Sequence, residues 1–223
     1  MDYANQKYLM MCRGVGTTLE LVCFTVLLAL SLLAAYAIYD SATANRESDG
    51  IVEMRQQITE NAAGFEWRDG MVAWLSIDGT NINYPVMQGT NNEWYLTHDY
   101  AGQNALAGSI FLDYRNRADF SDSISVIYGH RMSGDLMFSD VAKYVDGEFF
   151  AAHQAGKLFV RDGEYELRAV GYRVLSAGDE IYSKLDGSGL GLSDGIYIIL
   201  STCDRSTRMK RDILIMRVTK LDV

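Results

Sequence analysis

No charged side chain interrupts the nineteen residues from Leu21 to Tyr39, "LVCFTVLLALSLLAAYAIY". A hydrocarbon core of about 30 Å is crossed by roughly 20 apolar residues of helix, so this run is long enough to span a bilayer. A cleaved signal peptide has a shorter apolar region followed by small residues. "SATA" at 41–44 is a weak version of such a site, and length favours the spanning helix. Lys7 and Arg13 precede the run and Asp40 opens its other side. The positive-inside bias then gives a single-pass protein of the cell membrane, with a cytoplasmic N-terminus and residues 40–223 extracellular. The chain divides into an N-terminal tail 1–20, a transmembrane anchor 21–39, a stalk with a helix 40–69, and a folded domain 70–223.

Composition narrows the rest. The 223 residues are 48% hydrophobic, with 20 glycines and one proline, which is the make-up of a globular chain. A net charge of −9 speaks against nucleic acid as a partner, because phosphates need a basic face. Of three cysteines, Cys12 and Cys23 belong to the cytoplasmic and lipid side, which leaves Cys203 alone in the 184 residues from Asp40 onward. Disulfides commonly form outside the cell, so a lone thiol there is a liability unless it has a use. It is either a small core residue or a nucleophile.

After the polar stalk "DSATANRESDG", apolar residues at helical spacing (Ile51, Met54, Ile58, Ala62) predict a helix over 51–65. From Met71 the texture changes to eight short β-type runs: "MVAWLSID", "INYPVMQ", "GSIFLDY", "SISVIYGH", "KLFVRDG", "YELRAVGYRVLS", "GIYIILSTC" and "DILIMRVTKL". Turn signals such as "DGTN" and "RDGE" separate them. Eight strands at short spacing suggest a barrel or a sandwich. One helical insertion, "LMFSDVAKYVDGEFFAAHQ", falls between the fourth and fifth runs. "GSGLGL" at 187–192 lacks phosphate-loop spacing and reads as a loop.

A cysteine nucleophile needs thiolate character, usually supplied by a histidine. His98 sits in a polar turn and reads as structural, and His153 closes a helix, where a cation suits the dipole. His130 ends the run "SISVIYGH" as Cys203 ends "GIYIILSTC", and two strands ending at one rim would bring imidazole and thiol together. Acyl transfer also needs donors for an oxyanion. Of Arg205, Arg208, Arg211 and Arg217, Arg211 stands directly before the last apolar run, where a strand would hold its guanidinium in place.

"YGH" and "LSTC" at strand ends, with an arginine eight residues after the cysteine, together resemble the sortases. "MVAWLSIDGTNINYPVMQGTNNEWYLTHDYAGQNALAGSIFLDYRN" and "VIYGHRMSGDLMFSDVAKY" look like the corresponding segments of class B members, and the resemblance covers about residues 70–223. It implies a mainly β fold: a closed eight-stranded barrel with an N-terminal helix and one helical insertion, preceded by a single transmembrane helix. It also implies a membrane-anchored cysteine transpeptidase of a Gram-positive bacterium. Cys203 would cleave the Thr–Gly bond of a sorting signal, often of the N-P-x-T type, and pass the acyl group to an amine of lipid II or of a pilin lysine. His130 would be general acid and base, and Arg211 would hold the oxyanion. Asn92, Tyr128, Ser201 and Asp204, beside the motifs, are candidate substrate contacts. One departure concerns the substrate: only about twenty residues separate "YRVLS" from "IYIILSTC", where class B members commonly carry a longer, helix-bearing insertion.

Two other readings use the same residues. Papain-like and NlpC-type peptidases place cysteine before histidine, the reverse of this order, while a non-catalytic surface binding module would bury Cys203 as an inert core residue. No Cys/His cluster has zinc spacing and no aspartate set forms a calcium loop, so neither metal nor cofactor is expected.

Overall fold

The computed structural model describes residues 20–39, 67–105, 107–132, 135–187, 189–203 and 209–222. The helix expected over 51–65 lies outside them. The chain divides into two units, Met1–Ser48 and Asp49–Val223. In the first, helix α1 (Glu20–Tyr39) is long and apolar enough to cross a membrane by length and composition. Its twenty residues rise about 30 Å. Its threonine and serine hydroxyls are spent on its own backbone: Thr25 Oγ1 donates to Val22 O at 2.9 Å and Ser31 Oγ to Leu28 O at 2.8 Å.

The second unit is a closed barrel. Its strands are β1 (Met71–Ile77), β2 (Asn83–Met87), β3 (Ile110–Leu112), β4 (Ile124–Gly129), β5 (Ala155–Val160), β6 (Gly163–Ser176), β7 (Tyr197–Cys203) and β8 (Lys210–Asp222). They close in the order β1-β2-β3-β4-β7-β8-β6-β5. The eight β-type runs are thus the eight strands, and the barrel rather than the sandwich is what they build. Two pairings are parallel, β2 with β3 and β4 with β7; the others are antiparallel.

Alternation along each strand fills the interior. Leu75, Val86, Ile110, Ile127, Leu158, Leu167, Leu200 and Leu214, one from each strand, belong to a single buried cluster. On the other face of β4, β7 and β8, Val126, Ile199 and Ile213 are covered by Ile181 and Leu190 from the connection after β6. Strand β7 is therefore buried on both faces, which is why "IYIIL" reads as a continuous apolar run rather than an alternating one.

The helical insertion is a 3₁₀ turn, Ser139–Val145, followed by α2 (Gly147–Ala152). Asp146 caps α2, its Oδ1 accepting from the backbone of Glu148 and Phe149 at 2.8 Å each. Asp140, 1% exposed, ties the insertion to the β1–β2 turn by accepting from Asn81 N at 2.7 Å. Between Ser176 and Tyr197 the chain forms a four-residue helix, α3 (Ile181–Lys184), just before the loop expected at 187–192. It is too short to show a periodicity.

Gly129 of β4 shows why the motif is "YGH". A Cβ there would lie 2.7 Å from the buried ring of Phe138 and would also meet Ile110. Gly129→Ala is expected to cost about 1–3 kcal/mol by overpacking, read as a lower denaturation midpoint. An unchanged midpoint would mean that the Phe138 ring yields freely.

Candidate active site

The parallel register of β4 on β7 decides what meets at the rim. Tyr128 pairs with Ser201 and Gly129 with Thr202. One step further on, His130 follows the end of β4 and Cys203 is the last residue of β7. On the far side of β7, the antiparallel ladder pairs Cys203 with Arg211. Arg211 is also paired with Leu175 of β6, so its backbone is held from both sides. The ends of two strands and the start of a third thus carry positions 130, 203 and 211 side by side.

A groove of about 220 Å³ opens here, lined by Phe111, Tyr128, Gly129, His130, Ser201 and Arg211 from the sheet. Asn92 and Leu96 from the connection before β3, and Ala177 and Tyr182 from the connection after β6, complete it. His130 Nε2 lies 2.9 Å from Leu96 O. A carbonyl only accepts, so Nε2 carries a proton, and in the neutral ring Nδ1 is the basic nitrogen. Gly108, at φ 57°, lets the 95–96 backbone approach: a Cβ there would be 2.7 Å from Leu96 O. The other two histidines lie elsewhere in the hydrogen-bond pattern. His98 Nδ1 bonds Trp94 O at 2.9 Å while its ring stacks on Trp94, and His153 is the C-cap of α2, its Nδ1 2.8 Å from Phe149 O.

The groove rests on a buried carboxylate that the sequence reading did not single out. Asp113, with a side chain 0% exposed, accepts from Arg115 Nε at 2.9 Å, Arg115 Nη2 at 2.8 Å, Asn92 Nδ2 at 2.9 Å and the Tyr128 hydroxyl at 3.0 Å. Burial pushes its carboxyl up, but the bonds from Arg115, Asn92 and Tyr128 together outweigh that and hold it below the usual carboxylate range. Burial, and then the Asp113 charge, push the Tyr128 phenol up, so it remains a donor. Asn92 also accepts from Tyr114 N at 3.0 Å, and Ser201 Oγ lies 3.0 Å from the Tyr182 hydroxyl. Asn92, Tyr128 and Ser201 therefore line the groove with much of their polarity already engaged. Asp204, Arg205 and Arg208 lie outside the described residues.

A second ion pair sits on the opposite side of the sheet. Arg131 Nη1 meets Asp212 Oδ2 at 3.1 Å, and the Tyr172 hydroxyl donates to Asp212 Oδ1. Each partner is the chain neighbour of a rim residue, His130 or Arg211, so the pair ties β4 to β8 across β7. Leu96, Phe111 and Tyr182 were likewise not singled out. The one signal available was in "IFLD": an acid closing a fully buried run needs a partner, and Arg115 is two residues on.

No family model matches the chain. Over 123 residues it is 42% identical to Sortase B of Listeria monocytogenes, covering 53% of this chain and 46% of that protein. The matched part spans about half or less of the length of the curated relatives. Among solved structures, a class B sortase of Streptococcus pyogenes involved in pilus biogenesis superposes with a TM-score of 0.62 at 28% identity, covering 68% of this chain and 93% of that one. A Staphylococcus aureus sortase B-substrate complex gives 0.66 at 21% identity, over 81% and 98% of the two chains, and shares the fold.

Proposed function

We propose that the chain, which is similar to class B sortases in sequence and fold, is a cysteine transpeptidase that cuts a sorting signal and transfers the acyl product to an amine. The observation that carries this reading is the β4–β7–β8 register, which sets positions 130, 203 and 211 beside one another, with His130 and Arg211 lining a groove of about 220 Å³.

The chemistry follows from those three residues. The Cys203 thiol passes its proton to His130, and the thiolate attacks the carbonyl carbon of the scissile threonine. Negative charge collects on the carbonyl oxygen, where the Arg211 guanidinium supplies donors in a fixed orientation. The C–N bond then breaks, His130 returns the proton to the departing amine, and a thioester remains on Cys203. An incoming amine attacks the thioester, loses its proton to His130, and releases the thiolate. With Nε2 engaged on Leu96 O, Nδ1 is the nitrogen that exchanges these protons.

The groove takes an extended peptide, and the family resemblance favours an N-P-x-T type of signal, with Asn92, Tyr128 and Ser201 against it and Asp204 as a further candidate contact. The acyl group goes to lipid II or a pilin lysine. Helix α1 anchors the enzyme in the cell membrane, with Lys7 and Arg13 on the cytoplasmic side and the barrel outside.

The test is to offer residues 40–223 a panel of sorting-signal peptides and look for a Cys203-linked acyl adduct by mass spectrometry, with and without an added amine. An adduct on one motif, converted to an amide by the amine, is expected. A thiol that resists alkylation until denaturation would overturn the reading and leave Cys203 a core residue.

A further inference from the structure

We propose that Arg115 is a positioning residue that clamps α3 onto the barrel and thereby sets which peptide the groove accepts. For its substrate this rests on the transpeptidase reading above.

One guanidinium joins the two walls of the groove. On one side, Nε and Nη2 grip both oxygens of the buried Asp113, which in turn holds Asn92 and Tyr128. On the other, Nη1 donates to Ser183 O at 3.0 Å and Nη2 to Tyr182 O. Those carbonyls lie in the last turn of a helix of only four residues, where backbone acceptors have no partner within the helix. So short a helix does not hold itself together. Ile181, Tyr182 and Leu185 pack it onto the barrel, and Arg115 adds the hydrogen bonds to its last carbonyls. Tyr182 then reaches the groove from this fixed backbone, its ring 6.2 Å from that of Tyr128 and its hydroxyl 3.0 Å from Ser201 Oγ. The connection is short, and a single charged fork bridging 67 and 68 positions of sequence substitutes for a longer packed insertion.

Only a planar fork spans these acceptors. Lysine at 115 would keep a charge beside Asp113, and so most of the stability, but would not reach Asp113 and both carbonyls together. In Arg115→Lys the kcat/KM for the preferred peptide should fall roughly tenfold, mainly through KM, the loss of about one charge-assisted hydrogen bond. The preference over a peptide altered at one signal position should shrink. Backbone amides of 181–187 should exchange hydrogen faster, while the rate and pH dependence of Cys203 alkylation stay as in the parent. Arg115→Gln combined with Asp113→Asn, which leaves no buried charge unpaired, should show the same pattern. Unchanged exchange over 181–187 would overturn the clamp. So would an unchanged peptide preference, or a fall in alkylation equal to the fall in turnover. If the parent protein cleaves no peptide at all, the transpeptidase reading fails, and the exchange measurement still decides whether Arg115 holds α3.

Discussion

His130→Ala is expected to abolish sorting-peptide cleavage, a loss of at least about 10²–10⁴-fold from removing a general acid and base. Folding should be nearly untouched. The imidazole is half exposed and gives up one hydrogen bond, to Leu96 O, worth about 1 kcal/mol. His98→Ala and His153→Ala serve as controls, since their rings are spent on Trp94 O and Phe149 O within their own turns. Both should retain turnover. Cys203→Ala separates binding from chemistry: it should still bind the peptide but form no adduct, whereas His130→Ala keeps a thiol that alkylates more slowly near neutral pH. Peptide turnover by steady-state kinetics, beside thermal melts, checks all four variants. A dead His98→Ala with a working His130→Ala would move the proton-transfer role into the connection before β3.

How much of this was legible in the sequence depends on the range of the interaction. "GIYIILSTC" predicted a strand ending at Cys203, and β7 is Tyr197–Cys203. "DILIMRVTKL" likewise falls inside β8. These are local signals, set by side chains that alternate or run continuously apolar. Whether eight strands close into a barrel depends on pairings such as β4 with β7, some seventy residues apart, and no run of residues encodes its partner. That step came from the family resemblance.

The supporting network was illegible for the same reason. Arg131 and Asp212 are 81 positions apart, and Arg115 reaches carbonyls at 182 and 183 whose side-chain identity is irrelevant to the bond. A backbone acceptor leaves no mark on composition. Helix α3 escaped notice because its four residues are held by contacts from elsewhere rather than by their own propensity. The residues that carry chemistry were easier to find than those that hold them, because a lone thiol, a histidine at a strand end and a strand-borne arginine are each unusual where they stand.

Arg211→Ala is expected to lower kcat by about 10²–10³, the usual effect of removing one preorganised oxyanion donor. The argument is one of rigidity. Arg211 is paired with Cys203 on β7 and with Leu175 on β6, so its Cα cannot shift without breaking two ladders. Its chain neighbour Asp212 is pinned from the other face by Arg131 and Tyr172. A guanidinium on so constrained a backbone reorganises little as charge develops, and this is where an oxyanion donor gains its effect. Arg211→Lys keeps the charge but loses the planar fork, and should recover only part of the loss. Cys203 should alkylate in Arg211→Ala, since the thiol remains. Asp212→Asn offers an independent check on the rigidity argument. It leaves Arg211 in place and weakens only the tie beneath it, so kcat should fall less than in Arg211→Ala while the adduct still forms. If Arg211→Ala turns over peptide at the parental rate, the oxyanion donor is not on β8. The site would then have to be redrawn around Arg205 or Arg208.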